Sequence, residues 1–282
     1  MERSPELRIV SLPALDIAVW DWPGSDPPLL FAHATGFHGR LWDRIIRQFP
    51  DRRAIAVEAR GHGRSAKPVP PYRWPVFGAD LATVAVSLGI SGAIGIGHSS
   101  GGHAVANAAV LRPDIFRALL LVDPTIFPRA VYGQPPFDVS FTLRRKRVFD
   151  SPDAMFQRFR ERDSFAGWQP EILRDYCEYG LLRQDGHWTL ACPPEAEASI
   201  YENSTALDAD LHDELPRIAQ PVVVLRAARQ RQSGSIDLAA SPTDPALASA
   251  LPRARDIALE GVSHYIPMER PDRIAQEITE LL

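Results

Sequence analysis

The chain has 282 residues, 45% hydrophobic and 23% charged, which is enough for one large α/β domain with a full core. With a formal net charge of -4 no nucleic-acid partner is expected, because neutralising phosphates requires clustered cations. No apolar run reaches the roughly 18 residues of a membrane span, and the charged start "MERSPELRIVSLPAL" lacks the apolar core of a secretory leader, so a cytoplasmic protein with no membrane partner is expected.

In chain order, "ELRIVSL" and "LDIAVWDW" read as an opening hairpin, "PLLFAHA" as a buried strand, "LWDRIIRQF" as a helix and "RRAIAVEA" as another strand. "WPVFGADLATVAVSLG" has helical apolar spacing, "GAIGIGH" is a strand, "GGHAVANAAVLR" a helix and "RALLLVD" a strand. Strand and helix in alternation predict a parallel sheet with helices on both faces. After Asp123 the pattern changes. From about Pro124 to Pro216 only helical pieces are predicted: "PDAMFQRFRER", "PEILRDYCEYGLL" and "PEAEASIYEN". Strands resume with "PVVVLRA" and "RDIALEG", and "PDRIAQEITELL" closes the chain as an amphipathic helix led by proline. The expected organisation is a core of residues 1–123 and 217–282 interrupted by a helical cap at 124–216. Cys177 and Cys192 have no metal or redox spacing and read as free thiols, and the basic run "LRRKRVF", holding Arg144, Arg145, Lys146 and Arg147, reads as a solvated face.

The stretch "GAIGIGHSSGG" supports two readings. Gly95, Gly97 and Gly101 follow a strand and open a helix, with Asp123 ending the next strand, which is the order of a dinucleotide fingerprint. Against this, bulky His98 sits where pyrophosphate would approach the backbone. In the second reading, Gly97 to Gly101 form a nucleophile elbow whose tight bend lifts the Ser99 hydroxyl out of the sheet, flanked by glycines because side chains would collide. A serine hydroxyl needs a neighbouring base. Of eight histidines, His264 is favoured, because it follows the last strand and precedes the proline-led helix, at the same sheet edge as Ser99.

With "FAHATGFHGRLW", "RGHGRS", "GHSSGG" and "GVSHYIPMERP" in place, the chain resembles the α/β-hydrolase fold superfamily over most of residues 7–123 and 217–282. The resemblance implies a mostly parallel eight-stranded sheet with helices on both faces. It also implies an oxyanion hole built from the Ser100 amide and one amide after the third strand, placed at Thr35 with Phe37 as the alternative. The superfamily usually takes its acid from the turn after the seventh strand, where "VVVLRAARQRQSGSID" offers none before Asp237. Some relatives place it one strand earlier, so Asp123 is assigned and Asp237 is the rival. A serine at the elbow argues against dehalogenase or epoxide-hydrolase chemistry, which would need aspartate there.

The expected activity is hydrolysis of a carboxylic ester or lactone of a small hydrophobic molecule through an acyl-enzyme, with no metal or organic cofactor. A carbon-carbon bond hydrolase with the same three residues, a ligand receptor on the same fold and a nucleotide-dependent oxidoreductase are the alternatives. The aromatic residues of the cap, from Phe127 to Tyr179, are expected to form mainly its own core and to bias the site towards apolar substrates.

Overall fold

The apolar runs become strands whose order along the sheet differs from their order along the chain. A computed structural model describes residues 3–229, 237 and 239–282. β1 (Glu6–Ser11) and β2 (Asp16–Trp22) form the expected hairpin, followed by β3 (Ser25–Ala32), α1 (Asp43–Ile46) and β4 (Arg52–Val57). α2 (Pro75–Ser87), β5 (Ala93–His98), α3 (Ser100–Leu111) and β6 (Phe116–Val122) come next. The following segment holds α4 (Ser140–Leu143), β7 (Val148–Phe149), α5 (Pro152–Phe159), α6 (Pro170–Tyr179), β8 (Leu181–Gln184), β9 (His187–Leu190) and α7 (Pro194–Glu202). The chain then returns to the sheet with β10 (Val222–Ala227) and β11 (Ala254–Leu259), and ends in α8 (Ile266–Glu269) and α9 (Pro271–Leu281).

Eight strands make one sheet in the order β1-β2-β4-β3-β5-β6-β10-β11, in which β2 alone runs against its neighbours. β5 is buried along its whole length because both faces are covered: Ile94 and Ile96 pack towards α1 and α9, while Leu119 and Leu121 of β6 pack towards α2 and α3. Register decides where the site forms. Ala32 pairs with Gly97, His98 with Val122, and Val122 with Leu225. The residues just beyond those pairs therefore emerge side by side at the carboxyl edge.

Two expectations change. "LWDRIIRQF" yields one α-helical turn, α1, preceded by a 3-10 turn at Gly39–Trp42, instead of a full helix. Pro50 stops any extension, since the residue before proline is pushed out of the helical region. The segment 124–216 is not purely helical: β7, β9 and β8 form a three-stranded antiparallel sheet. Its hairpin turns at Asp185-Gly186, both with positive φ (49° and 81°), the two-residue connection that Asp-Gly favours.

Candidate active site

The elbow begins from a steric demand. Between β5 and α3 the chain reverses so sharply that Ser99 adopts φ 56°, ψ -120°, a conformation L-residues rarely occupy. A Cβ on Gly97 would lie 2.3 Å from the Gly101 carbonyl oxygen, and one on Gly101 would lie 2.3 Å from that of Ala32. Neither backbone atom can swing aside as a side chain would. Gly101→Ala is therefore expected to cost about 3 kcal/mol of folding stability, or to prevent folding; a urea midpoint within error of wild type would contradict this. These glycines serve contacts within the protein, and His98 below the bend donates Nε2–H to the His264 carbonyl (2.9 Å), so the turn does not present the open backbone a dinucleotide requires.

Ser99, His264 and Asp123 are brought together although 165 residues separate the first two. His264 Nε2 is 2.9 Å from Ser99 Oγ, and His264 Nδ1 is 2.7 Å from Asp123 Oδ2. With Nδ1–H donating to the carboxylate, Nε2 is left to accept the serine proton. Thr125 Oγ1 lies 3.0 Å from Ser99 Oγ on the other side. Asp123 is fully buried, and its second oxygen accepts from Ser241 Oγ (2.5 Å), Thr243 Oγ1 (3.1 Å) and the Ala227 amide (3.3 Å). Asp237 is placed elsewhere: it pairs with Arg229 and caps the Ala239 amide (2.9 Å). Its link to the histidine is indirect, because the His264 amide donates to the Ala239 carbonyl (2.8 Å).

The loop after β3 is held by two neutral histidines. The Gly36 amide donates to His62 Nε2 (2.9 Å) and the Phe37 amide to the Ala34 carbonyl (3.1 Å), so both are engaged and Thr35 remains the candidate oxyanion donor of the loop. Thr35 Oγ1 donates to Ser100 Oγ (2.9 Å), clamping the loop to the start of α3, where the Ser100 amide is one of the first-turn N–H groups with no intrahelical acceptor. His33 Nε2 accepts from the Ala59 amide (3.0 Å). Burial lowers His33 to about 4 and His62 to about 3 from 6.5. As pH falls below 6.5 the unfolded chain takes up protons that the folded protein refuses. Stability is thus complete above pH 6.5 and declines towards pH 3–4, by up to about 1.4 kcal/mol per pH unit for each ring. His62→Gln, which keeps an acceptor for Gly36 but cannot protonate, should show a smaller drop in urea midpoint between pH 7 and pH 5; an unchanged drop would contradict this.

Ser99 and His264 open into a cavity of about 330 Å³ walled mainly by aromatic rings, among them Phe37, Phe127, Phe159, Trp168, Tyr176 and Tyr201. Arg145 corrects the expectation that "LRRKRVF" is entirely solvated. It turns inward, paired with buried Glu197, and donates to the Tyr176 hydroxyl (3.1 Å). Lys146 instead sits 5.1 Å above the Phe149 ring, and Arg147 pairs with Glu195. Sequence reasoning also missed Thr125, Ser241 and Thr243, which have no motif; the one available signal was the position of Thr125 two residues beyond Asp123.

Taken together, the strand order, the elbow and the residues gathered above it define an α/β hydrolase. The model of the Alpha/beta hydrolase family matches residues 29–277, and the chain belongs to that family. It is 25% identical over 265 residues to 2-(acetamidomethylene)succinate hydrolase of Mesorhizobium japonicum, covering 92% of this chain and 89% of the relative. It is 27% identical over 270 residues to a non-heme chloroperoxidase of Streptomyces lividans (89% and 90% covered). Among solved structures, an E-2-(acetamidomethylene)succinate hydrolase superposes with TM-score 0.78 at 21% identity, covering 98% of both chains. Among the described residues, no helix is long and apolar enough to cross a membrane.

Proposed function

We propose that this hydrolase cleaves a carboxylic ester or lactone of a small, largely apolar substrate by acyl transfer to water. The observation that carries this reading is the continuous relay from Ser99 Oγ through His264 to Asp123, at 2.9 and 2.7 Å, opening into an aromatic cavity. Ser99 Oγ attacks the carbonyl carbon while His264 Nε2 takes its proton, and Asp123 stabilises the resulting imidazolium. The Thr35 and Ser100 amides hold the oxyanion, each contributing roughly 3 kcal/mol to the transition state, and α3 directs its positive end at the same point. His264 then protonates the leaving alkoxide, and water, deprotonated by the same imidazole, releases the acid and regenerates Ser99. Residues 124–216 act as the cap that selects substrate. The relatives named above include a hydrolase, which supports the reaction class alone.

Treatment with a fluorophosphonate probe followed by peptide mapping tests the reading. Label on Ser99, absent from Ser99→Ala, together with turnover of short 4-nitrophenyl esters, is the expected result. No label and no turnover would overturn it.

A further inference from the structure

The cavity above Ser99 has an unbalanced set of charges. Among its described lining residues, only Arg145, Arg162 and Glu197 carry formal charge. Arg145 and Glu197 compensate one another in a side-chain pair. Arg162 is exposed at the rim and has no acidic partner among the described residues; its guanidinium lies 5.3 Å from the centre of the Phe159 ring, which stacks on Phe165 at 4.9 Å. Two cations against one anion leave a single positive charge facing a space whose other walls are mostly aromatic.

We propose that the substrate carries one carboxylate at the end remote from the reacting carbonyl, and that this carboxylate seats on Arg162. The inference rests on Ser99 marking the reacting end. A guanidinium presents a planar fork that matches two carboxylate oxygens, and the cation–π contact with Phe159 keeps the Arg162 head at the cavity. The fitting class is therefore a carboxylate with an apolar body.

The test compares binding of 4-phenylbutyrate and its neutral isostere 4-phenylbutyramide to the intact protein, followed through the change in tryptophan fluorescence, with Trp74 and Trp168 of the six tryptophans in the cavity wall. Wild type should bind the carboxylate about tenfold more tightly at low salt, with the advantage shrinking as salt is raised. Arg162→Lys should keep part of the preference and Arg162→Gln should lose it. Equal affinities in wild type, or no binding of either compound, would overturn the proposal. So would a preference that survives Arg162→Gln, since the carboxylate would then be held at Ser99. Fluorophosphonate labelling separates the two readings: a labelled Ser99 without anion preference removes the Arg162 site alone, and an Arg162-dependent preference without labelling removes the nucleophile alone.

Discussion

Replacing Ser99 with alanine should lower kcat on 4-nitrophenyl esters by about 10⁵-fold or more while leaving the fold intact, because the proposed nucleophile is deleted but no packing is lost. A small residual rate above the uncatalysed reaction is expected, since two amides would still polarise a bound carbonyl. A second variant separates chemistry from folding. Ser99 is held at φ 56°, where a β-carbon is strained and glycine is not. Ser99→Gly should therefore be as inactive as Ser99→Ala yet more stable than wild type, by about 1 kcal/mol or more in chemical denaturation. The comparison is informative because glycine normally loosens a chain. Glycine less stable than alanine here would mean that the bend is not strained, and an active Ser99→Ala would mean that another group attacks the substrate.

How much of this was readable in advance follows from how local each signal is. The Gly97–Gly101 turn is legible because the collision it avoids lies within a few residues and across the adjacent strand. His264 is legible because a strand, a turn and a proline-led helix surround it in sequence, and parallel topology sends strand ends of one direction to one edge. Asp123 could be placed at that edge, but its three oxygen-binding partners could not. Ser241 and Thr243 come from the stretch between β10 and β11, which has no periodicity, and only the folded chain aims them at the carboxylate. Arg145 illustrates the same limit from the other side. In sequence it belongs to a basic cluster, yet Glu197, 52 residues later, draws it into the cavity wall. The three-stranded sheet within residues 124–216 is not legible because its strands have four residues or fewer, too short to establish a period of two, although Asp185-Gly186 marks the hairpin.

Asp123→Asn should reduce kcat about 10⁴-fold, and the hydrogen bonds around it explain why so small a change is so damaging. One carboxylate oxygen accepts from the Ser241 and Thr243 hydroxyls and from the Ala227 amide. An asparagine keeps these contacts unchanged only with its own oxygen there, since the Ala227 amide can only donate and the two hydroxyls would have to turn round to accept from an NH₂. That choice turns the NH₂ towards His264 Nδ1, which can then only accept. The imidazole proton moves to Nε2, and Nε2 can no longer take the proton of Ser99. Loss of the negative charge also removes stabilisation of the imidazolium. Asp237→Asn changes none of this directly: it weakens a surface pair with Arg229 and a cap on Ala239, whose carbonyl receives the His264 amide, so at most a severalfold decrease is expected. Steady-state kinetics on both variants, with folding checked by circular dichroism, compares the two directly. Near-normal turnover in Asp123→Asn together with collapse in Asp237→Asn would transfer the role to the later aspartate. Collapse in Asp123→Asn alone would tie the tautomer of His264 to the acid at the end of β6.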